Sequence, residues 1–198
     1  RMSEVSLSTT SFGSVARMRS AGSSVYASFG GQGGNPAKVI QYNAGLVAIG
    51  TISAPGGFTQ ASGMDVDADG NVYMTVSSGT SGATVQILKF NSGLTSTLAT
   101  KDITSLLAST GTRADLAVAG PYLFAAAHNT VAGEIYLRKF DFSLNYVGVS
   151  STFTGSATSL FAPFRIKSDP GNNDVFVAAG AATGDGGDAL VLKYDQNL

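Results

Sequence analysis

A short phrase occurs four times in this 198-residue chain and constrains its fold more than any other feature. In each copy an aromatic residue is followed by Asn or Asp and, after two further residues, by Leu. The aromatic residues are Tyr42, Phe90, Phe140 and Tyr194, at steps of 48, 50 and 54 residues. A period of this length is typical of stacked supersecondary units, none of which can bury its apolar face alone. We therefore expect a repeat protein.

Each repeat also contains short apolar stretches with the composition of β-strands. An alternating segment comes first, centred on Met18, Val66, Leu116 and Ile166 at steps of 48, 50 and 50 residues. A Val- and aromatic-rich stretch, the repeated phrase and a weaker apolar stretch follow it. Turn-forming Gly, Asn, Asp and Ser separate these stretches, and no window carries a sustained helical period with caps. Four strands per unit of this length predict the blade of a β-propeller.

The sequence thus predicts a single all-β domain over residues 1–198, a propeller with four blades of four antiparallel strands. The predicted blades cover residues 14–50, 62–100, 113–150 and 163–198. The fourth repeat lacks its outermost strand, and residues 3–9 alternate like a strand without a repeat of their own. We expect this N-terminal strand to become the outer strand of blade 4, because it would close the ring without an open edge. The alternative is that the four repeats are part of a larger propeller.

Charged residues recur at one level of the predicted innermost strands. Residues of the same face give the pairs Arg17/Arg19, Asp65/Asp67, Asp115/Ala117 and Arg165/Lys167. In a four-membered ring the basic blades 4 and 1 adjoin the acidic blades 2 and 3. Since buried charges are costly unless paired, we expect structural ion pairs lining the channel. An anion or ligand site in the channel is the alternative.

Composition narrows the function classes. The formal net charge is −1 and charged residues make up 13% of the chain, without a basic run, so the sequence offers no electrostatic footprint for nucleic acid. No apolar run approaches the length of a membrane span, so we expect no membrane insertion. The absence of cysteine excludes disulfides and thiolate chemistry. The Gly-, Ser- and Thr-rich surface favours a secreted or cell-surface protein.

Two segments resemble a known family of repeats. The run from Asp65 to Thr75, with Asp-x-Asp-x-Asp-Gly-Asn followed by Val-Tyr, resembles the opening of a bacterial β-propeller repeat of the SBBP type, which is related to NHL-like repeats. The run from Gly186 to Asp195 is similar to the second half of the same repeat. The resemblance implies the propeller fold and a secreted or surface protein of bacteria or archaea. It implies no particular activity.

The spacing of Asp65, Asp67 and Asp69 before Gly70 is also that of calcium-binding loops. Positions nine and twelve of such a loop would be Tyr73 and Val76, which cannot supply the acidic ligands. The sequence therefore favours a tight hairpin turn at residues 69–71, with Asp65 and Asp67 on the preceding strand. A Ca²⁺ site formed by the three aspartates is the alternative, and no other cofactor is expected.

Catalytic constellations are scarce. His128 is the only histidine, and Glu4 and Glu134 are the only glutamates, so multi-histidine metal sites and glutamate pairs are excluded. No nucleophile elbow, phosphate loop or dinucleotide fingerprint occurs. The expectation is a protein that is not an enzyme.

The predicted loops suit recognition of a partner instead. The long connections between blades carry Phe58, Phe153 and Phe161, which would mark a contact surface if exposed and would otherwise fill gaps between blades. We expect an extracellular or cell-surface propeller acting as a structural or protein-interaction module, a subunit or domain of a larger surface assembly or filament. Its partners would be other proteins or copies of itself. The alternatives are a glycan- or ligand-binding propeller and, third, a metal-assisted hydrolase or lyase.

Overall fold

The structure of the chain is a computed structural model that describes residues 12–78, 84–106, 114–129, 134–154, 160–181 and 188–197. Within these ranges the chain forms fifteen β-strands and one short 3-10 helix, Thr104–Leu106. The all-β class predicted from the repeats is confirmed.

The strands form four antiparallel sheets, one for each repeat, and within each sheet they follow chain order. Blade 1 consists of β1 (Phe12–Ala21), β2 (Ser24–Gly31), β3 (Lys38–Tyr42) and β4 (Ala48–Ser53). Blade 2 consists of β5 (Gln60–Val66), β6 (Val72–Ser77), β7 (Val85–Phe90) and β8 (Thr97–Asp102). Blade 3 consists of β9 (Ala114–Ala119), β10 (Tyr122–Asn129), β11 (Glu134–Asp141) and β12 (Tyr146–Thr154). Blade 4 consists of β13 (Leu160–Ser168), β14 (Val175–Ala181) and β15 (Asp188–Tyr194).

The first strand of each blade lies innermost, because β1 packs beside β5, β5 beside β9, and β9 beside β13. In blade 2 the second strand is covered on both faces, since all six residues of β6 are buried. A strand buried on both sides requires a continuous run of apolar and β-branched residues, which Val72-Tyr73-Met74-Thr75-Val76 supplies. This arrangement gives the sheets the form of propeller blades.

The hydrophobic core is divided into layers between neighbouring blades. Blades 1 and 2 bury one cluster between them, blades 2 and 3 a second, and blades 3 and 4 a third. We call these three layers the filled seams. Each is built by alternate residues of the facing strands, as the period of two along a β-strand requires. Residues at the centre of the seams include Met74, Phe90, Leu123, Phe140 and Val177.

The repeated phrase forms the turn between the third and fourth strands of a blade. In blade 1 the Asn43 carboxamide oxygen accepts hydrogen bonds from the N–H groups of Gly45 and Val47, at 3.0 Å each, and the Leu46 N–H donates to the Asn43 carbonyl. Blades 2 and 3 form equivalent turns from Asn91 and Asp141. The side-chain oxygen of an Asn or Asp at this position accepts hydrogen bonds from backbone N–H groups two, four or five residues later. These local hydrogen bonds take the place of the inter-strand hydrogen bonds, so the strand ends and the turn begins.

The Leu of the phrase adopts a left-handed backbone in all three of these turns, with φ of 59° at Leu46, 53° at Leu94 and 65° at Leu144. This conformation costs a residue other than glycine roughly 1–2 kcal/mol. Leu94 and Leu144 are buried in the seams on the side of the preceding blade, and the burial of a leucine side chain contributes about 1.5–3 kcal/mol. Leucine recurs in the phrase because its burial offsets the backbone strain.

The structure differs from the sequence-based expectations for the outer strand of blade 4 and for the connections on either side of blade 4. The predicted N-terminal strand, residues 3–9, lies outside the described residues, and blade 4 has three strands within them. Phe153 and Phe161, which the sequence placed in connections, instead lie within β12 and β13, where their backbones pair with Ile135 and Gly180. Backbone pairing of β12 with β11 continues to Thr154 and pairing of β13 with β14 begins at Leu160, so both strands extend beyond the predicted blade boundaries.

Candidate functional site: the central channel and the blade seams

Two arginines of β1 reach across the channel to aspartates of other blades. Arg17 donates from Nε and Nη2 to the two carboxylate oxygens of Asp115 on β9, at 3.1 and 2.6 Å. Arg19 donates from Nε to Asp65 on β5 at 2.8 Å. Both pairs are largely buried, and the Asp115 side chain is only 2% exposed. The ion pairing expected from the alternation of acidic and basic blades is present, with blade 1 tied to blades 2 and 3.

The same aspartates hold the backbone of the blade that follows each of them. Asp65 accepts a hydrogen bond from the N–H of Val118 at 2.9 Å, and Asp115 accepts one from the N–H of Ile166 at 3.3 Å. Each carboxylate therefore connects three elements: its own strand, the next inner strand and an arginine of blade 1. Charge-assisted bonds of this kind are shorter and stronger than neutral ones.

The close approach around Asp115 depends on a glycine of the neighbouring strand. A Cβ atom added to Gly63 would lie 2.8 Å from Asp115 Oδ1, 2.8 Å from the Leu116 nitrogen and 2.7 Å from Thr75 Oγ1. Thr75 Oγ1 in turn donates to the Ala114 carbonyl at 2.5 Å. No side chain larger than hydrogen fits at Gly63 without moving the inner strands apart.

The basic residues of blade 4 are placed differently from those of blade 1. Arg165 and Lys167 on β13 are both exposed. Desolvation lowers the pKa of the Lys167 ammonium, and the positive charge of Arg19 lowers it further. The nearby Asp65 and Asp115 act in the opposite direction. The four basic and two acidic side chains at this level leave a formal excess of two positive charges at the channel.

The acidic motif before Gly70 forms a turn of the same design as the repeated phrase. Asp67 Oδ1 accepts from the N–H groups of Asp69 and Asn71, and Oδ2 accepts from the Asn71 side chain and from the Tyr73 hydroxyl at 2.9 Å. β5 ends at Val66, so Asp67 is the first residue of the turn and not part of the strand, contrary to our expectation. Glycine at position 70, with φ of 82°, replaces the left-handed leucine of the other turns.

This geometry accounts for the calcium-like spacing without an ion. Asp65 faces Arg19, Asp67 is occupied by turn hydrogen bonds, and Asp69 is exposed. Among the described residues, no three His, Cys, Asp or Glu side chains come together in a way that could hold a metal ion. Burial and the bond to Asp67 raise the pKa of Tyr73 far above its usual value, which keeps its hydroxyl a donor. The Ca²⁺ site remains a prediction that metal titration can test.

A hydrogen bond crosses each filled seam at an equivalent place. The acceptor is always the carbonyl of the residue that follows the Asn or Asp of the next blade's phrase. Tyr26 donates to Ser92 at 2.9 Å, Lys89 to Phe142 at 2.9 Å and Lys139 to Gln196 at 2.5 Å. In blade 1, Gln41 occupies the position of the lysine in blades 2 and 3. Its side-chain amide donates to the Tyr26 hydroxyl, and that hydroxyl donates in turn to the Ser92 carbonyl.

In blade 4 the residue equivalent to Lys89 and Lys139 is Lys193, and it behaves differently. Its ammonium pairs with Asp174 of its own blade at 2.7 Å, and the side chain is 59% exposed. The hydrogen bond to Asp174 raises the pKa of Lys193. Lys193 lies 5.9 Å from the centre of the Phe176 ring, as Lys139 does from that of Phe124. Blade 4 therefore has the same lysine and aromatic residue as blades 2 and 3. Its lysine, however, pairs with an aspartate of its own blade and not with a carbonyl of another blade.

Of the aromatic residues predicted to mark a contact surface, the structure describes the side chain of Phe58. Phe58, in the connection between blades 1 and 2, is half-buried and packs against the core of that seam. The side chains of Phe153, Phe161 and His128 lie outside the described residues. Sequence reasoning missed the seam donors, although the Lys before the aromatic residue recurs at positions 89, 139 and 193.

The comparisons with known proteins concern the fold. No family model matches the sequence, and no curated protein matches it either. The structure is similar to the major allergen Mala s 1 of Malassezia sympodialis, with a TM-score of 0.55 and 14% identity over 86% of this chain and 60% of the allergen. It is also similar to a bifunctional GH43-CE protein of Bacteroides eggerthii, with a TM-score of 0.52 and 14% identity over 88% of this chain and 23% of that one.

A third similar structure is the hydrazine synthase of Kuenenia stuttgartiensis, with a TM-score of 0.51 and 12% identity over 99% of this chain and 66% of the synthase. All three contain β-propellers, and this chain spans less than two thirds of each. At these identities the likeness is one of fold alone. The chain is thus an all-β protein whose antiparallel sheets are the blades of a β-propeller.

Proposed function

We propose that this chain is an extracellular or cell-surface propeller that serves as a structural and protein-interaction module within a larger surface assembly or filament. We further propose that its repeats are of the SBBP type, related to NHL-like repeats, on the motif that runs from Asp65 to Thr75. Its partners are other proteins or copies of itself, and it does not catalyse a reaction.

The observation that supports this proposal most directly is that the carboxylates of the channel form structural ion pairs and hydrogen bonds between blades. Asp65 and Asp115 lie at the channel, and both accept hydrogen bonds from arginines of blade 1 and from backbone N–H groups of the following blade. A general acid or a metal ligand needs an oxygen that can reach a substrate or an ion. The channel is therefore better suited to holding the blades together than to catalysis.

Exposed apolar residues on the outermost strands support a role in contact with other proteins. Val47 just before β4, Ile49 on β4, Leu98 on β8 and Val147 on β12 are 40–59% exposed. We call these four residues the rim. The apolar side chains of the rim belong to three consecutive blades and lie on or directly before their outermost strands, where another protein could contact them. The part of the chain that the structure describes contains no helix with the length and apolar character needed to cross a bilayer.

Binding and activity measurements on the purified chain test the proposal against its alternatives. We expect no saturable binding on a glycan array and no hydrolysis or elimination of polysaccharides, with or without added Ca²⁺ or Zn²⁺. Chemical cross-linking in extracts of the source cell envelope should join the chain to envelope protein through the rim. Replacing Val47 and Leu98 with Lys should weaken that cross-linking, whereas Gln32→Lys, at an exposed position of the hairpin between β2 and β3, should leave it unchanged.

Micromolar glycan binding or turnover would contradict the proposal. Glycan binding would favour the lectin-like alternative, and turnover that depends on Asp65 or Asp115 would favour an enzyme.

A further inference from the structure

The register of the inner strands arranges the channel side chains in two levels, with one residue from each blade at each level. At the first level this residue pairs with an aromatic residue of the second strand. The first level consists of Arg19, Asp65, Ala117 and Lys167, opposite Tyr26, Tyr73, Phe124 and Phe176. The second level lies two residues earlier and consists of Arg17, Gly63, Asp115 and Arg165. Each level therefore contains two cations, one carboxylate and one Ala or Gly.

At the second level a carboxylate joins the inner strands of blades 1 and 4. Asp115 Oδ2 accepts hydrogen bonds from Arg17 Nη2 at 2.6 Å and from the N–H of Ile166 at 3.3 Å. One oxygen atom thus holds both a cation of β1 and the backbone of β13. Gly63 leaves room for this carboxylate, because a Cβ atom there would lie 2.8 Å from Asp115 Oδ1. The second level shows that this fold places a carboxylate between blades 1 and 4.

The first level lacks a carboxylate at the equivalent position. Blade 3 has Ala117 there, and Ala117 carries no side-chain oxygen. The carboxylate of this level belongs to blade 2, where Asp65 accepts hydrogen bonds from Arg19 Nε at 2.8 Å and from the N–H of Val118 at 2.9 Å. It therefore joins blade 2 to blades 1 and 3. Among the described residues, no carboxylate bridges blades 1 and 4 at this level.

Two cationic groups of the first level have N–H donors without an acceptor. Arg19 donates from Nε to Asp65 and from Nη1 to the Met18 carbonyl, so its Nη2 has no acceptor within the part of the chain that the structure describes. The Lys167 ammonium makes no hydrogen bond or ion pair to any described residue. Both donors therefore remain available to a ligand.

The two groups are neighbours and are partly withdrawn from water. The Arg19 side chain is only 15% exposed. Desolvation lowers the pKa of the Lys167 ammonium, and the positive charge of Arg19 lowers it further, while the carboxylates of Asp65 and Asp115 act in the opposite direction. Two like charges held close together in partly desolvated positions raise the free energy of the folded chain, and a counter-ion between them lowers it.

We propose that the first level of the channel binds a small molecule through a carboxylate group, which accepts hydrogen bonds from Arg19 Nη2 and Lys167 Nζ. The bound carboxylate joins blades 1 and 4 at this level as the Asp115 carboxylate joins them at the second. A carboxylate can accept from both donors at once, and hydrogen bonds between ionised groups are stronger than neutral ones. The site goes beyond the proposed function, because it needs no protein partner.

NMR titration of the isotope-labelled chain with sodium acetate, compared with sodium chloride at the same ionic strength, tests the proposal. Acetate should shift the Arg19 Nε–H and Lys167 N–H signals saturably, with a dissociation constant on the order of millimolar, whereas chloride should not. Lys167→Gln should weaken acetate binding by about tenfold or more, because one of the two charged donors is lost. Lys101→Gln, on the outermost strand of blade 2, is the matched control and should bind acetate as the unaltered chain does.

A second variant supplies the carboxylate from within the chain. Ala117→Asp places an aspartate where blade 2 has Asp65, so it should abolish the saturable response to acetate while Arg19 and Lys167 stay in place. The amide spectrum shows whether this variant is folded, since Ala117 is a buried residue. Acetate binding that a folded Ala117→Asp chain retains would contradict the proposed site.

Three further results would overturn the proposal: acetate shifts that do not saturate, saturation that survives unchanged in Lys167→Gln, or an equal loss of binding in Lys101→Gln. Such a failure would leave the proposed function intact, because the rim takes no part in the site. Glycan binding or turnover would refute the proposed function whatever acetate does.

Discussion

The filled seam between blades 3 and 4 and the seam where blade 4 would meet blade 1 are built from equivalent residues but have opposite environments. In the filled seam Leu137 is fully buried and Lys139 donates to a turn carbonyl of the next blade. At the other seam Val191 is 63% exposed and Lys193 pairs within its own blade. The difference shows that the repeat supplies the residues of a contact, whereas a neighbouring blade is needed to make them a core.

The largest effect should come from the ion pair that ties blade 1 to blade 3. Asp115→Ala should lower the free energy of unfolding by about 3–5 kcal/mol, because it leaves the largely buried Arg17 guanidinium without its carboxylate. Urea denaturation measures the change. Asp69→Ala, which removes an exposed carboxylate of blade 2, should cost no more than about 0.5 kcal/mol.

A double substitution sharpens that result. Replacing Arg17 with Met together with Asp115→Leu should be less destabilising than the sum of the single changes, because no charge is then left unpaired. Additive losses would mean that the two side chains do not interact in solution.

The next effect compares the equivalent aliphatic residues of the two seams. Leu137→Ala should cost about 2–5 kcal/mol, because it opens a cavity in a packed layer between blades. Val191→Ala should change the stability of the monomer by less than about 0.5 kcal/mol, since its side chain is mostly in water. Thermal or urea unfolding at low chain concentration measures both, and equal losses would contradict the exposure of Val191.

A smaller effect separates the two lysines. Lys139→Met removes a buried cation that donates to the Gln196 carbonyl, and it should cost about 1.5–3 kcal/mol. Lys193→Met should leave the unfolding midpoint of the monomer unchanged, because a solvent-exposed ion pair contributes little. If Lys193→Met were as destabilising as Lys139→Met, the lysine would be part of a packed seam in solution.

The smallest effect concerns the phrase turn of blade 3, whose Phe142 carbonyl accepts a hydrogen bond from Lys89. The hydrogen bond from the Asn145 side chain holds the pKa of Asp141 below its usual value; burial opposes this shift, and hydrogen bonds from the backbone N–H groups of Asn145 and Ser143 add to it. A carboxylate with a lowered pKa in the folded state contributes stability above its unfolded pKa and loses it as the pH falls through the folded value. Stability should therefore decline slightly between about pH 5 and pH 3, by at most about 0.5 kcal/mol because solvent screens this surface group.

Asp141→Asn provides the control, since Asn occupies this position in blades 1 and 2. The variant should retain the turn and lose this part of the acid sensitivity, as measured by urea midpoints at the two pH values. An unchanged pH dependence would show that Asp141 does not contribute to it.

The sequence by itself determined the repeat and the all-β class, because the period of 48–54 residues and the alternation within it are local properties of the chain. It also identified the charges of the channel, since alternate residues of a strand share a face. Arg17, Arg19 and Asp115 lie where this rule placed them.

Only the tertiary structure decided which charges pair, that Asp67 starts a turn, and which of the equivalent faces are covered. Val191 and Leu137 occupy the same position in their repeats, so nothing local to either residue distinguishes them. Burial is a property of two surfaces in contact, and the second surface comes from a distant part of the chain or from another molecule. For this reason the core of the filled seams could be predicted from the repeat, whereas the exposed seam had to be observed.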